Sequence, residues 1–101
     1  MKRPTRVRVL GRHFTICFHP ENDEKMEGNL GMCDQDKQMI YVSEGQATES
    51  EQSTVLHELI HAAEESMGLN LCEEQVKGME VAMFALLRDN PTLVKYLMAT
   101  K

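Results

Sequence analysis

This 101-residue sequence predicts an α+β fold: a small, twisted, antiparallel-rich sheet packed on one long helix, with a second, glutamate-bearing helix beside it. Three observations predict it. Apolar residues alternate with polar ones between Arg6 and Phe18, the period of half-buried strands. Residues 49–67 carry apolar side chains at helical spacing, and so do residues 73–89. The two helical stretches are joined by a link too short to do anything but fold the second back beside the first.

The elements follow in order. Pro4 interrupts regular structure near the start, so residues 1–5 are expected to be loose. Val7 and Val9 alternate with Arg6, Arg8 and Arg12 in a first strand. Phe14, Ile16 and Phe18 form a second, with Gly11-Arg12-His13 turning between them as a hairpin. His13 and His19 border that second strand as rim or turn residues. Residues 20–31 are a polar connection dense in turn formers. Met32 and Cys33 open a third strand, broken at Asp34-Gln35-Asp36-Lys37. Met39-Ile40-Tyr41-Val42 is the clearest strand. Placed just before the long helix, it is expected to line a cleft and to pair with an extended peptide.

Thr48-Glu49-Ser50-Glu51 reads as a capping box, with Thr48 as N-cap. Gly68 stands where a left-handed C-cap is wanted, and Glu64 and Glu65 are expected in solvent. The second helix runs from Cys72 or Glu73 to about Asp89, with Val76, Met79, Met83, Leu86 and Leu87 as its core-facing arc and the methionines as filler. Asn90-Pro91 ends it. Leu93 to Met98 suggest a short terminal helix packed back on the core.

Chain length gives one domain, 1–101, with a modest core. The net charge of −5 argues against non-specific nucleic-acid binding, which needs a basic face. Lys2, Arg3, Arg6, Arg8 and Arg12 crowd the N-terminus as solvated charge on an edge strand. No apolar run suffices for a signal peptide or a membrane span. Cys17, Cys33 and Cys72 are odd in number and lack a C-x-x-C pair, which points to a reducing, cytoplasmic setting with buried free thiols.

The chemistry is concentrated in His57-Glu58-Leu59-Ile60-His61. On a helix, residues four apart stand one above the other, so both imidazoles can face one zinc ion. Glu58 lies about 100° round the helix from His57, beside the metal and not among its ligands. There it can act as general base on a zinc-bound water. A third protein ligand is required, and no histidine follows His61. It must be a carboxylate, and the second helix offers Glu73, then Glu80, then Glu74. Zinc, a peptide or protein substrate and hydrolysis of a peptide bond make the leading reading, with Tyr41, Tyr96 or His19 stabilising the oxyanion. The alternative is a non-catalytic, zinc-stabilised protein-binding module. The sequence leaves the oligomeric state open.

His57-Glu58-Leu59-Ile60-His61-Ala62, the link ending in Gly68-Leu69, Glu73-Glu74-Gln75-Val76 and Leu86-Leu87-Arg88-Asp89-Asn90-Pro91 together resemble small phage-type zincin-like metallopeptidases, the minimal gluzincins and ImmA/IrrE-like proteins. The resemblance covers about residues 39–91. It implies a small sheet, an active-site helix and a following glutamate helix. It also implies histidine ligands at His57 and His61, a catalytic glutamate at Glu58 and a ligand glutamate in the Glu73-Glu74 pair. Glu73 is favoured because it precedes Val76 by three, like the E-x-x-A step of related helices. Met79-Glu80-Val81 departs from the small residue and asparagine usual one turn later.

Overall fold

A computed structural model of the chain describes residues 2–20, 26 and 28–100. Four strands and three helices follow one another: β1 (Arg6–Val9), β2 (Arg12–His19), β3 (Gly31–Asp34), β4 (Met39–Ser43), α1 (Thr48–Ser66), α2 (Glu73–Asp89) and α3 (Pro91–Met98). The strands form one mixed sheet in the order β1-β2-β4-β3. Two of its three pairings are antiparallel, and β2 pairs with β4 in parallel. Residues 21–25 and 27 of the connection that makes this parallel crossover lie outside the described residues, but Met26 in it is fully buried. Among the described residues no helix is long and apolar enough to cross a membrane.

In β1 and β2 the core takes residues from the alternating apolar set, Val9, Phe14 and Ile16. Val9, Phe14, Ile16, Ile40, Val42 and Ala62 form one buried cluster, with Val55, Leu59 and Ala63 of α1 packed against it. α1 therefore lies on one face of the sheet. Its other flank meets α2, where Ile60 is buried outside that cluster.

Several expectations are corrected. The β1–β2 turn is Leu10-Gly11, both at positive φ, as a two-residue hairpin matched to strand twist demands. His13 therefore sits within β2, and His19 is its last residue. Residues 3–5 are held: Arg3 makes two hydrogen bonds to the Glu51 carboxylate, at 2.7 and 3.1 Å, and one to Glu44 at 3.0 Å. The Thr5 carbonyl accepts from Ile16 N–H. Arg3 engages Glu51, and the Thr48 capping box does not form. The helix N-cap is Ala47, with no side-chain cap.

β4 lies between β2 and β3, so both its edges are already paired and it cannot receive a peptide. The free edge beside the helices belongs to β3. The last correction concerns α2 and α3. On α2 only Val76 and Glu80 are buried, and α3 buries none of its residues. Met79, Met83, Leu86 and Leu87 are exposed, because α2 packs on α1 and α3 and is left otherwise uncovered among the described residues.

Candidate metal centre

Two local devices set the site. α1 ends in a Schellman motif: Gly68 adopts φ +71°, its N–H donates to the Glu65 carbonyl, and Leu69 N–H donates to the Glu64 carbonyl. α2 begins at Cys72, whose sulfur accepts from the backbone N–H of Gln75. The Gln75 side chain in turn accepts from Cys72 N–H at 2.9 Å. A tight exit and a capped entry lay the first turn of α2 against the middle of α1.

That placement brings Glu73 to both histidines. His61 Nε2 is 2.6 Å from Glu73 Oε1, and His57 Nε2 is 3.2 Å from Glu73 Oε2. The rings stand edge-on, centroids 5.0 Å apart. His57, His61 and Glu73 each offer one ligand atom, all within 4.8 Å of one another, a group that can hold a metal ion. The Glu73 side chain is 74% exposed, so the approach on its side is open to water.

The opposite nitrogens are held as well. His57 Nδ1 lies 2.8 Å from Glu80 Oε1, and His61 Nδ1 lies 3.2 Å from Glu64 Oε1. An ionised carboxylate only accepts. Each Nδ1 is thus placed to donate to its carboxylate, and each Nε2, which meets Glu73, is the nitrogen turned to the shared position. Ligand histidines are usually oriented this way. Glu80 is fixed in turn by Ser53 Oγ, which donates to its Oε2, and by Lys77 Nζ at 3.3 Å. Its burial resists the charge, but the hydrogen bonds from Ser53, His57 and Lys77 outweigh that and hold its pKa below the ordinary carboxylate value. Glu64 Oε2 also accepts from Leu71 N–H at 3.0 Å, so Glu64 clips the interhelix link to His61 instead of standing in solvent. From the sheet side, Gln35 Nε2 donates to the His61 carbonyl at 2.8 Å.

Glu58 is only 7% exposed and lines the same cleft, of about 640 Å³, as His57, His61, Glu73, Lys77 and Glu80. Burial raises its pKa; the two histidines oppose this, and the Glu73 and Glu80 charges add to it. Desolvation also acts against charge on His61, but the Glu64 hydrogen bond and the Glu58 and Glu73 charges reverse the balance, so its pKa is raised. The backbone of β3 passes directly over Glu58. A β-carbon on Gly31 would lie 2.9 Å from Glu58 Oε2 and 2.6 Å from Thr54 Cγ2.

Of the three carboxylates weighed as third ligand, Glu73 faces the histidines, Glu80 orients one of them, and Glu74 is exposed. The oxyanion candidates are elsewhere. Tyr41 alternates with core-facing Ile40 and Val42, so it projects from the other sheet face, where its ring lies 5.4 Å from that of His19. Tyr96 is exposed on α3. Cys17 and Cys33 are half-buried, whereas Cys72 is exposed at its cap. Sequence reading missed Gln35, Ser53, Glu64 and Lys77. The only trace of Glu64 was its i, i+3 spacing from His61.

No protein-family model matches the chain, and no curated protein and no solved structure matches it.

Proposed function

We propose that the chain is a zinc metallopeptidase hydrolysing peptide bonds, with His57, His61 and Glu73 as ligands and Glu58 as general base. The observation that carries this reading is the double hold on each imidazole: both Nε2 atoms meet one carboxylate, and both Nδ1 atoms are tied to others. Two neutral nitrogens and one carboxylate oxygen, with an open side, fit the donor set of catalytic zinc. Bound zinc would polarise a peptide carbonyl and lower the pKa of water in the open position.

The rest falls to the chain's own side chains. A raised pKa suits Glu58 both to take a proton from water and to return it to a departing amine. The ladder bond from Ser43 N–H to the Leu30 carbonyl sets the alternation along β3, so the backbone groups of Gly31 and Cys33 face its free edge. An extended peptide paired there would run beside the cleft. Lys77 lines that cleft and can place a cation near the developing oxyanion.

The test uses protein purified without added metal. Wild type is expected to carry one zinc per chain and to cleave members of a broad peptide library. Glu58→Gln keeps the zinc and loses cleavage, and His57→Ala loses both. Zinc without cleavage in the wild type would replace this reading with the non-catalytic protein-binding module. A wild type that binds no zinc would overturn both.

A further inference from the structure

We infer that Arg12 and Gln35 form a clamp that ties His61 to the sheet, which makes both of them positioning residues of the metal centre. This rests on the proposed metal centre and not on peptide hydrolysis. Gln35 Nε2 donates to the His61 carbonyl at 2.8 Å, and Gln35 Oε1 accepts from Arg12 Nη2 at 3.1 Å. Arg12 also reaches α1 directly. Its Nη2 lies 3.4 Å from the Ala62 carbonyl, and its Nε donates to Ser66 Oγ at 3.1 Å. The guanidinium lies over the Phe14 ring, 4.9 Å from its centroid. Arg12, which composition groups with solvated edge charge, is half-buried on an interior strand.

The fold brings these two side chains together from different hairpins. β2 and β4 run parallel, with Thr15 beside Met39. The turn that opens β2 and the turn that opens β4 therefore lie at the same end of the sheet. Arg12 is the first residue of β2, and Gln35 follows the last residue of β3. The β3–β4 turn is braced: Asp34 Oδ1 accepts from Lys37 N–H at 3.0 Å, and Gln38 Nε2 donates to the His13 carbonyl at 2.8 Å.

Helix capping does not account for the clamp. The carbonyls at the end of α1 are satisfied by the chain that follows. Ala63 accepts from Met67 N–H, Glu64 from Leu69 N–H and Glu65 from Gly68 N–H. The His61 and Ala62 carbonyls lie further in, where the i→i−4 ladder supplies a donor to each. A carbonyl oxygen has a second lone pair, and the clamp occupies it. Its bonds act on where the His61 backbone stands, not on where the helix ends.

The two imidazoles differ in what holds them. His57 Nδ1 is held from α2, by Glu80. His61 Nδ1 is held by Glu64, three residues on in the same helix. A contact within one helix turns the ring but moves with the helix. The sheet, through Gln35 and Arg12, fixes that stretch of α1 in place opposite Glu73.

Zinc affinity, by chelator competition, and the visible spectrum of the cobalt(II)-loaded chain test this. Gln35→Glu is the decisive variant: its carboxylate still accepts from Arg12 but has no N–H for the His61 carbonyl. It is expected to bind zinc about 10-fold more weakly, the lower end of the loss when a group that orients a ligand is removed. Its cobalt ligand-field bands should change, while the urea midpoint of the metal-free protein stays near that of wild type. Gln35→Ala should weaken zinc binding as well, and if one Gln35 variant fails to fold, the other carries the test. Ser66→Ala removes one Arg12 contact at the helix end and should leave affinity and spectrum unchanged. Wild-type affinity and cobalt bands in a folded Gln35 variant overturn the clamp and leave the metal centre standing. Ser66→Ala weakening zinc as much as the Gln35 variants overturns it too, because the effect is then general loosening of the helix. A wild type that binds neither metal overturns the metal centre and the clamp with it.

Discussion

Glu80 Oε1 lies 2.8 Å from His57 Nδ1, on the side of the ring away from Glu73. A carboxylate from α2 thus holds one nitrogen of a histidine on α1, and a second carboxylate of the same helix meets its other nitrogen. The two glutamates are seven residues, about two turns, apart and clasp one imidazole between them.

Glu80→Ala is expected to lower zinc affinity by about 10- to 100-fold, the usual scale for losing a partner of a ligand histidine. Glu73→Ala should cost more, because it removes a proposed ligand. Competition titration with a chromophoric chelator measures both. Equal affinity in Glu80→Ala and wild type would show that the clasp does not tune the site.

Gly31→Ala forces a methyl group against Thr54 Cγ2 and Glu58 Oε2. Overpacking of this kind costs about 1–3 kcal/mol, read as a lower urea midpoint. Adding Thr54→Ser removes the closer clash and should restore part of the stability. It should not restore hydrolysis, since Glu58 remains displaced.

In metal-free protein, His61 titrates above its ordinary value. A folded-state pKa above the unfolded one contributes stability that is complete below the unfolded pKa and is lost as pH rises through the folded one. Metal-free protein should therefore lose this contribution on going from mildly acid to alkaline pH. Zinc affinity should move the opposite way, because ligation needs neutral imidazole. Glu64→Gln is expected to lower the His61 pKa, followed by NMR of the imidazole protons. An unchanged titration would refute the Glu64 contact.

Burial pushes the Cys33 thiol up to about 12, so almost none of it is thiolate near pH 8. Cys72 is exposed. Iodoacetamide on the native protein should label Cys72 well before Cys33, with Cys33 reacting only on unfolding. Peptide mapping by mass spectrometry would show this order, and equal labelling rates would contradict it.

Local chemistry was legible without coordinates. Strand alternation pointed to the buried faces of β1 and β2, since side chains on a strand have a strict period of two. Gly68 marked the end of α1 because a left-handed residue there is nearly glycine's alone. His57 and His61 were bound to share a face by helical pitch, and the lack of any later histidine turned the search to the glutamates of α2.

Which carboxylate does what was beyond the sequence. Glu64, Glu73 and Glu80 have the same side chain, and their roles differ only by where the link between α1 and α2 sets them. The strand order was equally hidden, because pairing joins residues far apart in the chain. It gave the free edge to β3 and closed β4. Periodicity also misread α2 and α3: it reports that a helix has an apolar face, not what lies against it. Here α1 covers one flank of α2, and Met79, Met83, Leu86 and Leu87 stay exposed, a fact that belongs to how the helices are stacked.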